Sequence, residues 1–309
     1  PSAGKSQTFR NAEPYSNASD NVAIGEESLY YIGTDAVHNI SIGGRAMHAN
    51  TTGSYNIALG GGSLDANISG DYNVAIGQEA GDNNTTGDGN ISIGYQAGGQ
   101  STADYNISIG HLAGQYTSAA ANVMIGYRTA WQYGASTSNV IIGYDAGKAY
   151  RGSESVIIGH QAGDGSGTTD LTTSVIIGKD ASRYGRGSMI TTVGWRAGTY
   201  MTGSYNTFIG GFAGYGTATS APHGTGTANT TLGAYSAYKI TSGGNNTLVG
   251  YGAGIELTSG NNNTTLGHRA GDAITTGTNN IAIGYGVDVS SATTSNETVI
   301  GNSSQQSVT

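Results

Sequence analysis

Twenty carboxylates and six histidines are the groups in this chain that could move protons or hold a metal, and their spacing supports neither role. Acid–base cleavage of a glycosidic bond needs two carboxylates held as a fixed pair, and no pair recurs in phase. Glu79, Asp145 and Asp180 occur singly at equivalent points and read as a solvated face. The histidines lack the short separations of zinc ligands; His111, His160 and His268 instead share a column with tyrosines. Turns such as Gly87-Asp88-Gly89-Asn90 stand alone, so tandem calcium-type repeats are absent. With no cysteine, disulfides and thiolate metal sites are excluded. The expectation is a protein that is not an enzyme and takes no cofactor or metal.

The remaining chemistry lies in rings and amides. Tyr95, His111, Tyr127, Tyr144, His160, Trp195, Tyr251, His268 and Tyr285 each follow a recurring glycine. Rings stacked on an outer wall either offer apolar faces to sugars or simply shield the adjacent corner. Tyr95, Tyr127, Tyr144 and Trp195 are therefore candidate receptor contacts. A second candidate is the stretch from Tyr215 to Ala228, which interrupts the spacing and holds Pro222 and His223. A lateral loop has no stacked neighbours to satisfy and can carry recognition, although a neutral insertion would also be tolerated. A column of Asn73, Asn90, Asn106, Asn122 and Asn139 fits a hydrogen-bonded ladder between stacked coils. Glycosylation triplets at Asn39, Asn90, Asn106 and Asn263 follow mechanically from that column, so they carry no separate signal. Adjacent pairs such as Thr230-Thr231 put one hydroxyl on each face, unlike a flat Thr-x-Thr ice-binding surface.

One phrase positions all of these residues. Asn73-Val74-Ala75-Ile76-Gly77 recurs with its glycine at 25, 43, 60, 77, 94, 110, 126, 143, 159, 178, 194, 210, 233, 250, 267, 284 and 301. The steps run from 16 to 19 residues except one of 23, the signature of stacked repeats. Three residues before the glycine every repeat is β-branched, and one before it every repeat is Ile, Leu or Val. Alternation of this kind means a strand, and the glycine density argues against helix. The fold class expected is all-β: a single-stack β-solenoid (parallel β-roll) of about 17 coils with a period near 17. Each coil would hold a marked strand, a tight corner and a weaker return strand. The two aliphatic columns are expected to line the coil interior. The column between them then faces outward, and Met124, Ile141, Ile157, Ile176, Phe208 and Leu248 in it predict an oligomer interface. Residues 1–20 read as a polar lead-in, 21–301 as the repeat body and 302–309 as a tail.

Composition narrows the partners. The net charge of −8 argues against a nucleic-acid backbone, and no apolar run approaches a membrane span. A thin-cored, staple-free chain gains stability most readily by oligomerising.

The phrase at Asn73–Gly77 and again at Asn280-Ile281-Ala282-Ile283-Gly284 resembles the head repeats of trimeric autotransporter adhesins, over about residues 21 to 301. Its longer period and Thr-Gly-x-Asn-Asn connectors look more like repeats of bacteriophage tail fibres, in which a phrase like Glu297-Thr298-Val299-Ile300-Gly301 often leads into a self-cleaving chaperone. The resemblance implies a homotrimeric rod in a virion tail fibre or at the cell surface, attaching to a host polysaccharide or protein receptor. The alternatives are a polysaccharide-degrading tailspike and a non-viral self-assembling filament or adhesin.

Overall fold

The computed structural model describes residues 20–33, 35–100, 102–132, 136–165, 171–216 and 224–301. It divides into two compact units, Pro1–Ser153 and Glu154–Thr309. In the first, three-residue strands β1 (Val22–Ile24), β2 (Ile40–Ile42), β3 (Ile57–Leu59), β4 (Val74–Ile76), β5 (Ile91–Ile93), β6 (Ile107–Ile109), β7 (Val123–Ile125) and β8 (Val140–Ile142) pair in sequence order, all parallel. The second repeats the arrangement with β9 (Val156–Ile158), β10 (Val175–Ile177), β11 (Thr191–Val193), β12 (Thr207–Ile209), β13 (Thr230–Leu232), β14 (Thr247–Val249), β15 (Thr264–Leu266), β16 (Ile281–Ile283) and β17 (Thr298–Ile300). The protein is an all-β parallel solenoid with one strand per repeat, as the periodicity predicts. Partners are in register, so each repeat position forms a column.

The return leg differs from the expectation. It contains no strand among the described residues. Two and four positions after the key glycine, φ turns positive: Glu27 and Leu29 at 55° and 49°, Arg45 and Met47 at 57° and 44°. Alternating left-handed residues cannot extend, so the leg is a run of turns. It still bonds coil to coil, as in Arg45 N–H to Glu26 C=O at 2.8 Å and Met47 N–H to Ser63 C=O at 2.9 Å. A third left-handed position lies five before the key glycine in every coil, from Asp20 at 63° to Asn296 at 62°. Asn245, Asn262, Asn279 and Asn296 occupy it at least cost, since asparagine tolerates this conformation best after glycine. The key glycines are obligatory: Gly77 has φ 127°, and a Cβ there would sit 2.7 Å from the Gly94 carbonyl oxygen.

The facing of the strand columns reverses the sequence expectation. In all 17 strands the middle residue is buried and both flanking residues are half-buried or exposed. Met124, Ile141, Ile157, Ile176, Phe208 and Leu248, expected at an interface, form the coil interior. The physical reason is volume: a loop of about 17 residues has room for one strand side chain, not two. That room is shared with the residue four after the key glycine. Where the strand offers Ala23, Ser41 or Ala58, the return leg supplies Leu29, Met47 or Leu64. Where the strand offers Ile141, Phe208 or Leu248, the return position is Gly147, Gly214 or Gly254, whose missing Cβ would lie 3.2 Å, 2.4 Å or 3.0 Å from that side chain.

This trade can be measured. Leu64→Ala is expected to cost about 2–5 kcal/mol in denaturant unfolding. Adding Ala58→Ile should recover a substantial part of that loss, whereas Ala58→Ile alone should destabilise by overpacking, about 1–3 kcal/mol. Additive effects in this cycle would mean that the two positions do not share one space.

Candidate functional site

The asparagine column is built into the interior. Asn56 N–H donates to Asn39 Oδ1 at 2.9 Å, Asn73 N–H to Asn56 Oδ1 at 2.8 Å, and Asn90 N–H to Asn73 Oδ1 at 2.9 Å. The chain of bonds continues through Asn106, Asn122 and Asn139 at 2.9–3.0 Å. Three of the side-chain amides are donated onward, Asn39 to Gly53 C=O, Asn56 to Gly70 C=O and Asn73 to Gly87 C=O, at 2.8–2.9 Å. Carboxamides committed in this way and buried are closed to glycans and ligands. A second column, Asn50, Asn67 and Asn84, lies on the opposite side of each connector and donates to the same glycine carbonyls. The sequence reading overlooked it; its signal is the 17-residue spacing of those three asparagines.

The aromatic column is real but turned. Tyr95–His111, His111–Tyr127 and Tyr127–Tyr144 have centroids 5.1, 5.2 and 5.0 Å apart, with interplanar angles of 32°, 18° and 12°. Tyr251–His268–Tyr285 repeats this at 5.3 and 5.1 Å. Rings stacked coil on coil spend their faces on one another and present edges outward, so Tyr95, Tyr127 and Tyr144 are poor platforms for a sugar face. Arg128 lies 5.2 Å from the Tyr127 centroid and forks onto Asp145 at 2.8 and 2.9 Å, which raises its guanidinium pKa further.

Trp195 departs from this order. It meets Phe212 edge-on at 4.7 Å and 65°, with the Arg196 guanidinium 5.6 Å from its centroid. Phe212 stacks on Tyr235, Tyr215 stacks on Tyr238, and Tyr200 meets Tyr215 at 89°. This ring cluster lies on the described residues that flank the insertion, up to Gly216 on one side and from Gly224, which bridges Met201, on the other. Pro222 and His223 lie outside the described residues.

The structure also gathers carboxylates that the sequence left scattered. Gly44, Gly61 and Gly62 carry no ring, and the gap they leave is a depression of about 500 Å³ lined further by Arg45, Asp65, Gln78, Glu79 and Asp82. Arg45 pairs with Asp65 at 3.0 Å, and Gln96 donates to Glu79 at 2.6 Å. Burial pushes the Asp82 carboxyl up to about 6; the charges of Glu79 and Asp65 add to this, against donation from the Asn83 backbone. In the second unit Asp288 is likewise raised to about 6 by burial beside Asp272. Asp71, Asp88 and Asp104 form a further column, each accepting a backbone N–H of the preceding coil at 2.7–2.9 Å. No group of three or more His, Asp or Glu able to hold a metal ion occurs among the described residues, and none of their helices is long and apolar enough to cross a membrane. No family model, curated protein or solved structure matches the chain.

Two outcomes are expected. Asn56→Ala removes the acceptor of the buried Asn73 N–H and should cost about 1–3 kcal/mol in thermal or denaturant unfolding. Because the folded Asp82 pKa lies above its ordinary 3.8, the ionised group destabilises the fold above pH 6, and the penalty fades as pH falls toward 4. Asp82→Asn should therefore stabilise by about 1 kcal/mol at pH 7, after allowance for solvent screening, and by nothing near pH 3.5. A gain that does not shrink between pH 7 and pH 3.5 would contradict this.

Proposed function

We propose that the chain is a structural, receptor-binding fibre segment, active as a homotrimer on a phage tail or cell surface. The observation that carries this is the outer side of the strands. The columns of Val22, Ile40 and Ile57 and of Ile24, Ile42 and Leu59 continue through every coil of each unit without one charged residue, and among the described residues they stay half-buried or exposed. Soluble proteins rarely leave such a stripe open to water. A partner able to bury it row by row must share its axial spacing, and another copy of this chain has that spacing by construction. Three copies are the number that the repeat resemblance implies. The interface thus moves from the middle column to the two columns beside it.

Receptor contact fits best at the ring cluster around Trp195, which is exposed beside the insertion, meets Phe212 edge-on and carries the Arg196 guanidinium against its ring. One observation favours a second reading, a polysaccharide-cleaving spike. A carboxyl with a pKa raised to about 6 beside Glu79 in an open depression is the pairing that glycoside hydrolysis uses.

Light scattering behind size exclusion should give three times the 31.2 kDa chain mass. Ile42→Asp with Ile76→Asp, both already outward-facing, should break the assembly; a trimer of unchanged melting temperature would place the interface elsewhere. On a glycan array Trp195→Ala should lose at least about tenfold in signal, since one stacked ring contributes about 1–3 kcal/mol; unimpaired binding would remove the cluster from the receptor site. If capsule or lipopolysaccharide chains are shortened by the wild type but not by Asp82→Asn, the enzymatic reading replaces the first.

A further inference from the structure

One buried amide of the asparagine ladder has no partner. Asn39, Asn56 and Asn73 donate their amides to the carbonyl of a connector glycine in the next coil, and in the second unit Asn206, Asn229, Asn246 and Asn263 do the same. Asn90 does not: its Nδ2 is buried and has no hydrogen-bond partner. The cause is readable in the chain. The step from Gly94 to Gly110 is 16 residues where the three before it are 17, and the connector position held by Gly53, Gly70 and Gly87 is Ala103 here. Those glycines are buried, and a Cβ on Gly70 would come 2.5 Å from the Gly87 carbonyl oxygen. Ala103 is partly exposed where those glycines are buried; its carbonyl still lies against Gly87, 2.7 Å from where a Cβ would sit, and 3.5 Å from Asn106 Nδ2, but it makes no bond to Asn90 Nδ2.

The same coils are where the interior trade fails. At β5 and β6 the strand offers only Ser92 and Ser108, and the return leg only Gly98 and Gly114. Neither side supplies a large group, and a small space of about 10 Å³ remains, lined by Asn84, Asn90, Ser92 and Ser108 among others. That volume holds one water molecule, and a buried water needs two to four polar partners.

We propose that the coils of β5 and β6 enclose one structural water, which accepts from Asn90 Nδ2 and bonds the hydroxyls of Ser92 and Ser108. It supplies the acceptor that Asn90 Nδ2 does not find in the Ala103 carbonyl, while the ladder bond from Asn106 N–H to Asn90 Oδ1 stays in place. Leaving the amide dry would cost the desolvation of a buried donor, whereas a bridging water is enthalpically close to a direct bond. The site is independent of whether the chain is a fibre or an enzyme.

Water-¹⁷O magnetic relaxation dispersion on the full chain counts waters that stay longer than the protein tumbles. The variant S92A/S108A, which copies Ala58 and Ala75 of the same column, is expected to lower that count by one per chain. Its melting temperature should fall as well. An unchanged count in the folded variant would overturn the proposal. If circular dichroism shows the variant unfolded, a wild-type crystal structure fine enough to place ordered water decides. Density for one water within hydrogen-bond distance of Asn90 Nδ2 upholds the inference, and an empty cavity sinks it.

Discussion

Every feature of this protein depends on backbone hydrogen bonds between coils at one fixed register. Val22 N–H meets Asn39 C=O and Gly43 N–H meets Ile24 C=O, each at 2.8 Å, and the pattern recurs coil after coil. Because like stacks on like, a side chain is tested against its own kind above and below. Asparagine suits such a column because its amide both donates and accepts. Aromatic rings suit it by stacking, and glycine is forced wherever the next coil's carbonyl comes within van der Waals reach. Carboxylates suit it less well, and the structure accepts them where each can bind a backbone N–H, as Asp71, Asp88 and Asp104 do.

The interior follows from the small loop that this register closes. At the strand's middle position and the position four after the key glycine, a large residue on one side meets a small one on the other, as at Ala58 with Leu64 and Ile141 with Gly147. The strand column can therefore wander from Ala58 through Met124 to Phe208 without changing the fold, provided the return position answers. Where neither answers, at Ser92 and Ser108, space is left over. Stability is spread over many thin layers of this kind, with local consequences for each fault.

Outside, the same stacking produces two surfaces of different character. The strand side is uncharged, with one aliphatic column and one β-branched column of Val, Ile and Thr. The turn side carries rings and charges and tolerates departures from the repeat. Order there is greatest where rings stack face to face and least around Trp195 and Phe212, next to the inserted segment.

The sequence by itself determined the repeat, the strand positions, the parallel in-register stacking and the asparagine ladder, because each depends on spacing and residue type alone. It could not say which face of a three-residue strand lies inside. Alternation separates Ile141 from Val140 and Ile142 but is symmetric between the two faces, and the invariant aliphatic columns looked more like a core than the variable one. Only closure of the coil breaks that symmetry, since the left-handed turns set its width and the width admits only the strand's middle side chain. A trace of the answer was present in the compensation between Ala58 and Leu64 and between Ile141 and Gly147, which only residues sharing one space would show. The depression at Asp82 and the cavity at Asn90 were not legible at all. Both arise from side chains that are absent, Gly61 and Gly62 on the outer wall and Gly98 within, and the space beside a glycine is defined by its neighbours in three dimensions.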